Sequence, residues 1–368
     1  NQVGDLYFHA GSRQEITGYT QAGGGSSCGT GTATGNGIPV VNAGLDYTIP
    51  RGTPFELTAT ASDPDSDPLT YTWEQMDLGN RDPLNQVDDG MIPLFRSFPP
   101  TMSATRTFPS FQDLLTGPAN LFPQKLGEQL PSQDRMLTFR ATARDNRAGG
   151  GGADDDDVTL TVVGDPFSIT SPTAGGGLEC NAPSPITWNV GGGNVAANVN
   201  ILLSTDGGGS FPTSLAANTP NDGAETVAGP AALAADARLR VNAIGNVFFA
   251  LSDPIAVQDT LAPTVSCPVD TTVECTGDNG IEKTDPQLTA FFSGASATDA
   301  CDTALPPPTD DAPDLLPLGD NAVEFSTTDA SGNTGACSAT VSVVDTTPPL
   351  ISVSLTPNRL FPPNHMLR

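Results

Sequence analysis

Three consecutive pieces decide the fold: Phe55-Glu-Leu-Thr-Ala-Thr-Ala61, then Ser62-Asp-Pro-Asp-Ser-Asp-Pro68, then Leu69-Thr-Tyr-Thr-Trp73. Apolar and polar residues alternate on either side of a run of Asp, Pro and Ser. In the last piece Leu69, Tyr71 and Trp73 share one face, the period-two signature of a half-buried strand. Asp and Pro between two alternating runs make a turn, so the stretch reads as strand–turn–strand. The pattern returns at 136–143 (MLTFRATA) and 158–163 (VTLTVV), around a loop of Asp, Asn and Gly. Residues 38–164 are therefore predicted to form one sandwich module. Between its ends, residues 78–135 are broken by Pro into short pieces. They are too long for a simple connection and are predicted to be inserted hairpins with one helical turn near 111–115.

Working outward, residues 165–258 carry strand candidates at 167–169, 186–190, 199–203, 238–243 and 247–251. Residues 259–347 hold four of the six cysteines and are edged by a repeat. Asp259-Thr-Leu-Ala-Pro-Thr-Val-Ser266 returns as Asp345-Thr-Thr-Pro-Pro-Leu-Ile-Ser352, an offset of 86 residues, the size of a small sandwich. A further module is expected to begin near residue 348 and to be cut at 368. Upstream, a short helix is predicted over 12–19. Residues 21–37, dominated by Gly, Ser and Thr, read as a flexible linker. The sequence reads as a window of a longer protein.

Composition agrees with an all-β chain. Of 368 residues, 39 are Gly and 34 are Pro, about a fifth, which excludes a mostly helical protein. A hydrophobic share of 37% excludes a wholly disordered one. The net charge of -27, with only Lys125 and Lys283 besides thirteen arginines, argues against nucleic acid and against anionic membrane surfaces. No apolar run is long enough to span a bilayer. Six cysteines in an acidic, Lys-poor chain favour an oxidising, secreted setting.

Particular motifs carry a resemblance. Asn42-Ala-Gly44, with Ala61-Ser-Asp-Pro-Asp-Ser-Asp-Pro-Leu-Thr-Tyr-Thr-Trp-Glu-Gln75, resembles the polycystic-kidney-disease-like (PKD-like) and cadherin-like immunoglobulin folds of secreted bacterial proteins. Cys267-Pro268, Thr298-Asp-Ala-Cys301, Leu318-Gly-Asp-Asn-Ala-Val323 and Thr328-Asp-Ala-Ser-Gly-Asn-Thr334, with Cys337, resemble a hyalin repeat. Residues 7–163 are similar to the tail of bacterial secreted zinc metalloproteases of the reprolysin-like class. The residues that match are Pro93-Leu-Phe-Arg-Ser-Phe-Pro-Pro100 and Arg106-Thr-Phe-Pro109. The resemblance implies tandem immunoglobulin-like sandwiches: a catalytic-domain remnant at 1–20, a PKD-like module at 38–164 with its insert at 78–135, a second sandwich at 165–258, a hyalin repeat at 259–347 and the start of another module at 348–368. It implies a non-catalytic accessory region that positions the enzyme outside the cell, binds a surface or substrate and adds stability. The rival class is a structural adhesin or extracellular filament subunit, with edge strands free to pair between copies. Either reading implies an extracellular protein, a cell-surface polymer or a second copy of the chain as partner.

The sequence itself holds little catalytic chemistry. A zinc protease needs two His one helical turn apart with a Glu between them. The only histidines, His9 and His365, lie at opposite ends, so any zinc belongs to an upstream domain of the parent. A serine triad lacks its base for the same reason, whereas spacing does not exclude a carboxylate pair. Trp73 and Trp188 sit in strand patterns and read as core. Ser204-Thr-Asp206-Gly-Gly208-Gly-Ser210 resembles an Asp-box, a turn tied down by its own side chains.

The acidic clusters stand out. Asp63, Asp65 and Asp67 are spaced by two in one turn, while Asp145, Asn146 and the run 154–157 flank the later hairpin. Loops at one end of a sandwich can meet, and calcium takes six to eight oxygen ligands. Asp63, Asp65, Asp67, Asp145, Asp155 and Asp157 are the candidate calcium ligands; solvated acidic turns are the alternative. For the cysteines, the hyalin resemblance implies Cys267–Cys337 and Cys275–Cys301 bridges, where arithmetic alone allows three connectivities. Seven residues between Cys267 and Cys275 do not fit zinc-finger spacing. Cys28 is left to pair upstream or with Cys180.

Overall fold

The structure, a computed structural model, describes residues 7–27, 29, 31–79, 88–116 and 127–354. Cys28, parts of the expected insert (80–87 and 117–126) and the tail from 355 lie outside them. The chain forms two compact units that divide after Asp259. Nearly all regular structure is β, in immunoglobulin-like sandwiches.

In the first sandwich, one sheet runs Tyr47–Pro50, Ala153–Val163, Arg135–Arg144, Thr70–Gln75. The first pair is parallel and the others antiparallel. The opposite layer pairs Val40–Asn42 with Thr60–Ser62, and Phe55–Thr58 with Thr105–Phe108. Alternation places Leu137, Phe139, Ala141 and Ala143 inward, all fully buried. Their centre is a cluster of Phe55, Phe95, Phe108 and Phe139, with ring centroids 4.7–5.9 Å apart. Trp73 is buried, its Nε1 donating to the Ala104 carbonyl at 2.9 Å.

The expectation of inserted hairpins over 78–135 needs correction. Thr105–Phe108 is a strand of the sandwich itself, and Phe95 and Phe108 supply half the aromatic core. Phe95 and Phe108 of the Phe-Pro-rich segment are thus internal packing, large apolar rings taken out of water in the sandwich core. Two buried carboxylates pin the rest. Asp88 takes Arg135 Nη1 at 2.7 Å, and Glu128 takes Arg106 Nη2 at 2.8 Å. The expected helical turn is the helix Phe111–Thr116.

The second sandwich has the sheet order Gly177–Glu179, Ile255–Gln258, Ala234–Ala243, Asn198–Ser204, Thr213–Pro220, facing Ala224–Ala228, Pro183–Val190 and Phe167–Ser171. Trp188 is buried and donates to Asn221 Oδ1 at 2.7 Å. The Asp-box turn is tied as its residues imply: Asp206 accepts from the Ser204 hydroxyl (2.6 Å) and from the amide and hydroxyl of Ser210 (3.0 and 2.8 Å). These bonds hold its carboxyl down to about 2. Backbone bonds stitch this sandwich to the first. Glu56 N–H donates to Val247 O at 2.9 Å, and Phe249 N–H to Pro54 O at 3.0 Å. The helix Phe111–Thr116 adds Leu114, buried with Phe249 and Leu251, and its Leu115 carbonyl accepts Arg238 Nη2 at 2.9 Å.

The helix Ala10–Gln21, longer than the predicted 12–19, is anchored on the first sandwich by buried Glu74. Oε2 of Glu74 accepts the Ala10 amide at 2.8 Å, capping the helix start, where amides lack intrahelical partners. Oε1 accepts from Ser97 (2.8 Å) and meets His9 Nδ1 (2.7 Å). His9 thus has a packing role.

In the second unit, one sheet runs Thr271–Glu274, Thr334–Val344, Gly319–Thr328, Thr309–Asp310. It faces Thr264–Ser266 paired with Ser296–Thr298. The core centres on Phe291, Leu316, Val323, Phe325 and Val341. Cys267 and Cys337 are joined, with Cα atoms 5.8 Å apart. The expected Cys275–Cys301 bridge is not made: Cys275 is a free thiol. The two lie at opposite ends of the ten-residue hairpin ladder. Cys275 N–H bonds Val344 O at its end, whereas Asp302, next to Cys301, accepts from Ala330 N–H at the turn where the ladder begins. At about 3.3 Å per residue that is roughly 30 Å, far beyond the 7 Å limit for a disulfide.

Candidate metal centre

The Asp63–Asp67 turn is wound by its own side chains. Asp63 Oδ1 accepts the amides of Asp65 (2.9 Å) and Asp67 (3.0 Å), and Ser66 adopts a positive φ of 62° to close it. The consequence is convergence: carboxylate oxygens of Asp63, Asp65 and Asp67 lie within 4.8 Å of one another. Asp65 Oδ2 also accepts the Gly37 amide at 2.7 Å, so the segment before the sandwich closes over the turn. Asp63 Oδ2 and Asp67 Oδ2 are out of reach of solvent and accept no hydrogen bond.

Arg147 is the counter-charge in place. Its Nη1 lies 3.1 Å from Asp65 Oδ2 and 3.6 Å from Asp67 Oδ2. The same nitrogen donates to Asn36 Oδ1 at 3.1 Å, and Asn36 Nδ2 donates to Asp145 Oδ2 at 2.6 Å. Asp145 thereby joins the rim. It is buried, accepts the Gly152 amide at 2.8 Å and the Arg147 amide at 3.1 Å, and sits in the loop between the two long strands. Burial works against its charge, yet the bonds from Asn36, Arg147 and Gly152 outweigh it and hold the carboxyl below its ordinary value.

Two of the six expected ligands stand elsewhere. The acidic run is part of the strand Ala153–Val163, not a loop, so its carboxylates alternate between faces. Asp157 makes a two-pronged pair with Arg140 (2.6 and 2.7 Å), and Asp155 pairs with Arg140 (3.2 Å) and Arg13. On the other face, Asp154 and Asp156 accept the amides of Val41 (3.0 Å) and Ala43 (2.9 Å). A run that reads as mutual repulsion is resolved by strand geometry. The residue missed in the sequence was Arg147; its only signal was a cation beside Asp145 and Asn146.

Chemically, the turn offers hard carboxylate oxygens, two of which accept no hydrogen bond, with no sulfur or imidazole among the described residues of the cluster. That donor set suits calcium and not zinc. Asp63, Asp65 and Asp67 fit as ligands, with Asp145 on the rim.

The fold defines a tandem array of immunoglobulin-like β-sandwiches. More particularly, residues 258–343 match the HYR domain family. Hyalin of Lytechinus variegatus is 34% identical over 101 residues, 27% of this chain and 18% of that protein, so the chain spans about a fifth of the length of this relative. Among solved structures, Drosophila N-cadherin EC1-4 is 12% identical with a TM-score of 0.22, covering 84% of this chain and 76% of its own. The insect immune protein hemolin is 12% identical with a TM-score of 0.26, covering 83% and 76%. Likeness at that level carries no functional argument. The hyalin-like module and the disulfide are consistent with a place outside the cell or on its surface. Among the described residues, no helix is long and apolar enough to cross a membrane.

Proposed function

We propose that this segment is the non-catalytic accessory region of a secreted zinc metalloprotease. In this reading it carries the catalytic domain outside the cell, binds calcium through Asp63, Asp65 and Asp67, and holds the enzyme against a surface or substrate polymer. The anchored helix Ala10–Gln21 supports this most. Glu74 caps its first turn and Arg13 donates to Ala153 O at 3.3 Å, so the first sandwich fixes the helix itself, the segment that in this reading belongs to the preceding domain. The protease parent rests on the sequence resemblance at 93–100 and 106–109, whose residues Phe95, Arg106 and Phe108 pack inside the first sandwich. Calcium would add positive charge to a cluster whose cation among the described residues is Arg147. The test is chelator-sensitive casein hydrolysis, present in the full-length protein and absent from the 368-residue segment. Proteolysis by the segment itself contradicts the accessory role, and an inert full-length protein contradicts the protease parent.

The HYR match favours a second reading, an adhesin or filament subunit that binds extracellular proteins or its own copies. Ordered assemblies of the segment under the electron microscope would support it over the first.

A further inference from the structure

Arg147 stands where a cation of the turn would be held. Its Nη1 gathers oxygens from three side chains: Asp65 Oδ2 and Asn36 Oδ1 at 3.1 Å each, and Asp67 Oδ2 at 3.6 Å. A planar guanidinium satisfies this ring only in part. Asp63 Oδ2 and Asp67 Oδ2 stay shut off from solvent and accept no hydrogen bond. Carboxylate oxygens left in that state are costly. They are an observation separate from the acidic spacing, and they call for a compact cation that takes six to eight oxygens.

The guanidinium and a calcium ion cannot both be held there. Calcium lies about 2.3–2.6 Å from each oxygen it takes. An ion on Asp65 Oδ2 would press against a positive nitrogen 3.1 Å from the same atom. The way out for the arginine is open, since its side chain is 39% exposed. Its backbone is pinned, with the Arg147 N–H donating to Asp145 Oδ1 (3.1 Å) and the carbonyl accepting Gly150 N–H (3.4 Å). Rotation about side-chain bonds alone therefore carries the charge into water, and the loop keeps its place.

We propose that Arg147 is a tethered competitor for the metal seat, a counter-ion that closes the Asp63–Asp67 turn when calcium is scarce and is displaced when calcium binds. This rests on the calcium reading above and adds how that site is regulated. Three carboxylates converge in the turn and repel one another without a cation. Arg147 lets the turn keep its shape empty. Its competition also shifts calcium affinity towards the weak, roughly millimolar range of extracellular modules.

The test is calorimetric titration of calcium chloride into the 368-residue chain and its Arg147→Met variant, with guanidinium NMR of the unmutated chain. Loss of two surface ion pairs from the competitor should tighten calcium binding roughly two- to thirtyfold in the variant. The first unit's unfolding midpoint in chelator should fall at the same time. Opposite signs separate a displaced competitor from a merely structural residue, whose loss would weaken both. In the unmutated chain, saturating calcium should free the Arg147 guanidinium, its two Nη signals merging as rotation becomes fast. Equal affinities of the two chains, or an Arg147 signal unmoved by bound calcium, overturn the proposal and leave the calcium reading standing. No calcium uptake by either chain overturns both.

Discussion

Arg106 shows how single residues carry the first sandwich. Its guanidinium lies 4.5 Å from the Phe98 ring centre and 4.3 Å from that of Phe108, while Nη1 donates to Trp73 O at 2.7 Å and Nη2 to Glu128 at 2.8 Å. Breaking such a buried pair from one side leaves a charge without a partner, so Arg106→Met should cost about 3–5 kcal/mol in urea unfolding. A cost below 1 kcal/mol would mean that the pair is solvated. Burial pushes Glu128 up to about 7 against the pull of Arg106. A raised carboxyl holds its proton in the folded state, so its contribution to stability falls as pH rises from the ordinary 4.5 towards 7. Glu128→Gln should flatten that part of the Tm-against-pH curve, and an unchanged slope would contradict the assignment. Asp145 has the opposite sign: its lowered value stabilises above the ordinary carboxylate range and is lost as pH falls below it. Legibility at this scale was uneven. Asp63, Asp65 and Asp67 were readable because a spacing of two within a turn survives folding. Asp155 and Asp157 were misread because their partners, Arg13 and Arg140, lie far away in sequence.

Among the elements, the helix Phe111–Thr116 has the widest consequence, because it binds the two sandwiches of the first unit through Leu114. Leu114→Ala should cost about 2–5 kcal/mol and lower both sandwiches together, a single shifted transition in calorimetry. Separate transitions for the two would show that they are not coupled. In the second unit, replacing both Cys267 and Cys337 by Ser opens a link across 70 residues and should cost about 4 kcal/mol. The strands at 136–143 and 158–163 were legible because each alternates over a buried face. In Thr70–Gln75, by contrast, the adjacent Thr72, Trp73 and Glu74 are all buried and Tyr71 only half so, since Glu74 caps the start of the helix Ala10–Gln21. Thr213–Pro220 was not, since it is an edge strand with one buried residue, Thr219, and carries Asn and Pro that weaken any strand signal. The Cys275 pairing failed for a different reason: a repeat pattern fixes which cysteines exist, while strand register fixes which ones meet.

At the scale of the whole molecule, two compact units should give two calorimetric transitions, and the Asp63–Asp67 turn lies in the first of them. Calcium bound by the folded state alone adds about 2.7 kcal/mol at a hundredfold excess over Kd, roughly 5–10 °C for a unit of this size. The most direct measurement is scanning calorimetry of the chain in millimolar calcium and in chelator, at matched ionic strength, with Asp63→Asn/Asp67→Asn alongside. The account expects calcium to raise the first unit's midpoint by that amount and to leave the second unit's midpoint where it was, and in the double variant to move neither midpoint. Equal midpoints for the first unit in calcium and chelator would contradict it and leave the charge of the turn to Arg147.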